Sequence, residues 1–256
     1  MVVNNKPHSP RASRLSLVGL ALLLLAVIAA AAAIAGYTFY RSHVFSPVRF
    51  ERLMAWLRSP AGHAEWTMRA GEICNRAPFQ MPTDGYIGFL WGDSFRIGHH
   101  HQGIDIFGGS EPGVTPVYAV YPGYLTRQPD WKSTVIIRIP QDPLQPGRQI
   151  WTYYTHMAGS GGESYIAPQF PPGTLEQYVE AGTLLGYQGN YSGDPNNPVG
   201  VHLHFSIVQE DGQGSYLNEL EIGNTLDPSP YLGLPLNANE NPDQIPVCSP
   251  TEQTLN

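Results

Sequence analysis

The run Val201-His202-Leu203-His204-Phe205-Ser206-Ile207 decides how this chain is read. Apolar and polar residues alternate in it, and a strand sends alternate side chains to opposite faces. Leu203, Phe205 and Ile207 therefore point into a core, while His202 and His204 share the other face. Two imidazoles on one rigid strand form a metal-binding or catalytic arrangement, although an isolated H-x-H also arises by chance.

Further toward the N-terminus lies His101-Gln102-Gly103-Ile104-Asp105. In extended chain the four-residue separation puts His101 and Asp105 on one face, and Gly103 between them is expected to leave the space before the backbone open. Neutral imidazole with carboxylate suits zinc, and three protein ligands with one open position is the catalytic zinc pattern. His156 closes Ile150-Trp151-Thr152-Tyr153-Tyr154-Thr155-His156. A lone histidine at a strand end is usually a hydrogen-bonded surface residue; this one gains weight from its company.

The chain around these residues alternates short β-like runs with Gly and Pro. Strands are expected at 86–90, 104–107, 117–120, 124–127, 134–139, 150–156, 184–187 and 201–208. Such spacing indicates a mainly β, antiparallel, sandwich-like domain over residues 78–234. Before it, Phe50, Leu53, Met54 and Leu57 recur at helical spacing within Pro47–Arg58, a short amphipathic helix that either lies on a membrane or packs on the domain. Residues 38–77 read as this juxtamembrane helix and a linker, and 235–256 as a polar tail.

With these motifs in order, the sequence resembles the lysostaphin/LytM-type zinc endopeptidases of bacterial cell walls. The resemblance rests on His101-Gln102-Gly103-Ile104-Asp105, Tyr154-Thr155-His156 and His202-Leu203-His204-Phe205, with connecting phrases Thr115-Pro116-Val117-Tyr118-Ala119-Val120, Val179-Glu180-Ala181-Gly182 and Asp227-Pro228. It covers roughly residues 78–232. It implies a peptidase domain in which His101, Asp105 and His204 bind Zn2+ and His156 and His202 are the catalytic histidines. It further implies peptidoglycan peptides as substrate, cleaved by a metal-activated water with His202 or His156 as general base. Some relatives of this type are non-catalytic or partner-activated scaffolds that regulate other cell-wall hydrolases; retention of all five positions argues for activity. This chain departs from the pattern at Asp194-Pro195-Asn196-Asn197-Pro198 and in a long Gly/Pro-rich segment after His156, both expected to line the groove. His99 and His100 are expected at its rim. A rival reading, a cupin-type metal site from His99, His101 and Asp105, leaves His156 and the H-x-H unexplained.

At the N-terminus, Leu15 to Ala35 contains no charged residue and one polar one, Ser16. As a helix it rises about 31 Å, enough to cross a hydrocarbon core of about 30 Å. Residues 15–37 are therefore expected to be a transmembrane anchor, with 1–14 a cytoplasmic tail; the alternative is a signal peptide cleaved after Ala33-Ile34-Ala35. Basic residues on both sides of the span, Lys6, Arg11 and Arg14 against Arg41, Arg49, Arg52 and Arg58, leave its orientation open by charge alone. Either way the domain lies outside the cytoplasm, where Cys74 and Cys248, the two cysteines, can form a disulfide.

Composition fits this division. The whole chain is 42% hydrophobic and 14% charged, with net charge -7. Residues 1–41 hold four basic and no acidic residues, so the remainder has 10 basic against 21 acidic and carries -11. Two lysines in 256 residues make nucleic acid a poor partner.

Overall fold

The computed structural model describes residues 15–44, 47–94, 98–241 and 243–248. The expected cytoplasmic tail, 1–14, lies outside them, as do the last eight residues of the polar tail. The chain divides into two compact units, Met1–His43 and Val44–Asn256. The first is built on α1, Leu15–Val44, whose stretch Gly19–Tyr37 has mean hydropathy 2.5 and no buried residue. A helix apolar on every side has the length and composition of a membrane span.

The second unit is mostly antiparallel β. In chain order its strands are β1 (Tyr86–Phe89), β2 (Ile104–Phe107), β3 (Pro116–Tyr118), β4 (Gly123–Thr126), β5 (Val135–Ile139), β6 (Ile150–Thr155), β7 (Gln177–Val179), β8 (Leu184–Tyr187), β9 (Leu203–Gln209) and β10 (Thr225–Leu226). The main sheet runs β1-β2-β9-β6-β5-β4-β7, with β10 on β9, and β3 pairs with β8 in a second, two-stranded sheet. Every pairing is antiparallel.

The alternation in β9 resolves as expected. Leu203, Phe205 and Ile207 are fully buried in the main core with Ile104 and Ile106 of β2, Tyr154 of β6, and Val117 and Leu185 of the small sheet. The other face of β9 carries His204 and Ser206, aligned with Thr155 and Tyr153 of β6. Two registers place the histidines: Asp105 pairs with His204, and Thr155 pairs with His204 from the other side. Side chains from β2, β9 and the end of β6 are thus brought level with one another.

Gly103 has a different use from the one expected. A Cβ there would come within 2.2 Å of the Phe205 carbonyl oxygen, so the glycine lets β2 approach β9 closely and opens no space before the site.

The amphipathic helix α2 spans Pro47–Arg58 and packs on the domain, against β1. Its buried residues are Arg49, Leu53 and Trp56. Leu53 and Trp56 join Tyr86 and Phe107 in a small apolar cluster. Phe50 and Leu57, expected on the apolar face, remain exposed. Arg49 is buried because it forms an ion pair with Asp93, itself buried. Between α2 and β1, Met68 and Cys74 enter the main core, and Cys74 forms a disulfide with Cys248 across a Cα separation of 5.1 Å.

Candidate metal centre

The five residues singled out in the sequence, His101, Asp105, His156, His202 and His204, meet along one cleft of about 720 Å³. Asp105 lies in β2 and His101 in the segment leading into it, His204 lies in β9 and His202 just before it, and His156 directly follows β6.

Three of them form a tight triangle of donor atoms. His101 Nε2 lies 3.0 Å from Asp105 Oδ1 and 3.0 Å from His204 Nδ1, and that Nδ1 lies 2.9 Å from Asp105 Oδ1. All three residues are buried. Ligand atoms about 2.0–2.1 Å from a tetrahedral zinc stand roughly 3.3 Å apart, so the triangle is close to the size that such an ion requires. Carboxylate with two imidazoles is also the right chemistry for it. His101 Nδ1 sits 3.0 Å from the Leu90 carbonyl, an acceptor only, so the hydrogen is on Nδ1 and Nε2 turns a lone pair to the triangle. The cupin-type alternative needs His99 in this set, and His99 lies outside it, half-buried at the cleft wall, while His100 is exposed.

Beside the triangle lie the other two histidines. Their ring centroids are 4.5 Å apart, and the His202 ring stacks on Phe107 at 5.0 Å. His202 Nδ1 donates to the Gly200 carbonyl at 2.6 Å and His156 Nδ1 to the Tyr191 carbonyl at 2.7 Å. Both therefore keep a bare Nε2; that of His202 is 3.5 Å from Asp105 Oδ1. His156 has φ +71°, the left-handed region, which is uncommon outside glycine although histidine is among the residues enriched there. This turn, at the end of β6, carries its ring back over His202.

Electrostatics separates the two groups. Burial opposes the charge on Asp105, but His101 and His202 outweigh it and hold the carboxyl well below the usual range. Burial, then His202 and His204, push His156 down to about 3. Burial also lowers His202. His204 goes the other way: burial disfavours its charge, but Glu219 and Asp105 raise it to about 10.

Glu219 is the residue that motif reading missed. It lines the cleft and its Oε1 lies 2.9 Å from His204 Nε2. It stands 15 positions beyond His204 in an ordinary polar stretch, Asn218-Glu219-Leu220, and no spacing rule marks it.

The cleft walls come partly from unexpected places. One bank is α2, through Phe50, Leu53, Met54 and Leu57; the other includes Tyr191, Ser192 and Gly193. Residues 194–198 and the Gly/Pro-rich segment 158–173, both expected to line the groove, are not among its lining residues.

A mainly antiparallel β domain with a buried His-Asp-His donor set and a flanking histidine pair is the class that fold and site define. No family model matches the chain, and none of the curated proteins matches it. Solved structures do. Among them are a lytM glycyl-glycine endopeptidase, so described, from Ruminococcus gnavus (26% identity, 52% of this chain and 45% of that one, TM-score 0.34); a protein described as a peptidase M23 from Pseudomonas aeruginosa (21%, 74% and 63%, TM-score 0.36); and a variant of the catalytic domain of the prophage-encoded M23 protein EnpA from Enterococcus faecalis (21%, 60% and 97%, TM-score 0.30). The chain spans less than two thirds of the first two of these.

Proposed function

We propose that this chain is a zinc-dependent endopeptidase that cleaves peptide crosslinks or stem peptides of bacterial peptidoglycan. In this reading α1 is a membrane anchor and the β unit works outside the cytoplasm. The observation that carries the proposal is the donor triangle of His101, Asp105 and His204, about 3 Å on each side, with two neutral imidazoles next to it in an open cleft.

His101, Asp105 and His204 would hold the ion through Nε2, Oδ1 and Nδ1. Zinc in such a site supplies Lewis acidity, polarising a peptide carbonyl and acidifying water toward a pKa of about 7. The proton chemistry falls to the pair. In His202 and His156 the Nδ1–H is committed to a backbone carbonyl, so the Nε2 of one of them, His202 or His156, accepts the proton of the attacking water and returns it to the leaving amine. Their lowered proton affinity keeps both neutral at pH 7, with the Nε2 lone pair unprotonated. The apolar bank from α2 and the Tyr191 bank leave a trough between them for an extended peptide. The oxidised Cys74–Cys248 pair agrees with an extracytoplasmic site of action.

The test is digestion of chemically distinct peptidoglycans with product masses read out, with and without chelator, alongside two variants. His202→Ala is expected to keep zinc and lose turnover by about 10²–10⁴-fold, the range of a missing general base. His204→Ala is expected to lose zinc. Stoichiometric zinc in His204→Ala, or cleavage indifferent to chelator, overturns the assignment.

A further inference from the structure

Glu219 has no part in the proton and metal chemistry of the five motif residues, yet it is the second carboxylate at the centre. Its side chain is about 10% exposed. Oε1 accepts a hydrogen bond from Ser206 Oγ at 2.9 Å, and Ser206 stands two residues beyond His204 on the same face of β9. The adjoining residue is also tied down: Gln102 Nε2 donates to the Leu220 carbonyl at 2.8 Å, and Leu220 N–H donates to Asn218 Oδ1 at 3.2 Å. The loop that carries Glu219 is thereby fastened to the residue next to His101 on one side and to β9 on the other.

An ionised carboxylate only accepts, so the 2.9 Å contact with Glu219 puts a hydrogen of His204 on Nε2. The opposite nitrogen, Nδ1, faces Asp105 Oδ1 and His101 Nε2, and a cation held by all three requires that nitrogen bare. We propose that Glu219 is a positioning residue that, with Ser206, locks His204 in the ring orientation and Nε2–H tautomer that present Nδ1 to a divalent cation. This rests on the proposed metal site. Metal-bound histidines generally hand their second nitrogen to such a partner, and losing it weakens metal binding about 10–100-fold. His101 uses a neutral carbonyl, that of Leu90, for the same purpose. The His204 partner is charged, so a divalent ion here would be matched by two carboxylates, Asp105 and Glu219.

The experiment measures zinc affinity of the full chain in detergent by competition with a chromophoric chelator, and the ring nitrogens of His204 by nitrogen-15 NMR of the zinc-loaded protein. Glu219→Ala is expected to bind zinc about 10–100-fold more weakly and to lose the protected Nε2–H signal. Glu219→Gln keeps an oxygen acceptor of the same reach; it is expected to retain both the signal and an affinity nearer to wild type than to Glu219→Ala. If both variants bind zinc like wild type while His204→Ala does not, Glu219 has no positioning role and the metal site stands. If wild type binds no zinc, the reading beneath this inference fails. Should Glu219→Ala not fold, a wild-type spectrum with the hydrogen on Nδ1 or a Gln variant lacking the Nε2–H signal overturns the proposal.

Discussion

His204 and His156 have ring centroids 6.2 Å apart and opposite proton affinities, one raised to about 10 and the other lowered to about 3. The difference lies in what faces each ring. His204 sits between two carboxylates at 2.9 Å, whereas His156 and His202 give their Nδ1 to backbone carbonyls and the nearer carboxylate of His202, Asp105, is 3.5 Å away. Burial disfavours charge on all of them, and only nearby anions reverse that. Negative charge is concentrated where a cation would be held, and neutral acceptors are placed where a proton would be moved. The donor triangle and the histidine pair are therefore two regions of one cleft built on opposite electrostatic plans.

The largest expected effect tests how the triangle is supported from outside. Asp93 accepts the His101 N–H through its main-chain oxygen at 2.6 Å and the Leu90 N–H through Oδ2 at 2.7 Å, and the Leu90 carbonyl faces the His101 ring. Arg49→Ala leaves Asp93 a buried, uncompensated anion, which costs about 3–5 kcal/mol. Thermal unfolding should show that loss, and zinc retention should fall with it. Wild-type stability in Arg49→Ala would break the idea that α2 braces the triangle.

Next come two glycines, one for each region. A Cβ at Gly103 meets the Phe205 carbonyl oxygen at 2.2 Å, and one at Gly189 meets the Ala158 and His156 carbonyl oxygens at 2.1 and 2.5 Å. Backbone cannot yield as a side chain does, so each alanine should destabilise by about 2–3 kcal/mol, the upper part of the overpacking range. Their functional consequences should differ. Gly103→Ala spreads β2 from β9 and is expected to weaken zinc binding. Gly189→Ala displaces His156 from His202 and is expected to lower turnover with zinc retained. Identical effects on zinc affinity in the two variants would erase the distinction between the regions.

The smallest effect is on acid stability. His156 takes up a proton at about 3 when folded and near 6.5 when unfolded, so stability falls as pH drops through that window. Between pH 6.5 and 5 one such group accounts for at most about 2 kcal/mol. In chelator-treated protein the melting temperature should fall over this range, and His156→Gln should flatten the fall. An unchanged pH profile in that variant would show that His156 is not held neutral.

The parts of this plan that are legible in the sequence are those carried by local periodicity. Alternation around His202 and His204 yields the core face of β9, and helical spacing yields the bounds of α2, Pro47–Arg58. Contacts set by distant partners are not legible. The buried stripe of α2 includes Arg49, because its counter-ion is 44 residues away, so the helix sits rotated from the face that Phe50, Met54 and Leu57 suggest. Glu219 reaches His204 through a loop whose path no pattern encodes. The strands β7 and β10, of three and two residues, are too short to show a period and exist through pairing with β4 and β9. Gly103 stands out for its size, but what a missing Cβ makes room for depends on the neighbouring strand, which its own segment does not specify.

The link between Cys74 and Cys248 has a consequence for the order in which the molecule is made. Its two sulfurs bracket all ten strands, so every strand has left the ribosome before the covalent ring can close. Until then Cys74 travels as an unpaired thiol on a segment that belongs to the core. Closure is thus a late covalent event, possible only once every strand has been synthesised, and a chain interrupted anywhere before Cys248 emerges without it.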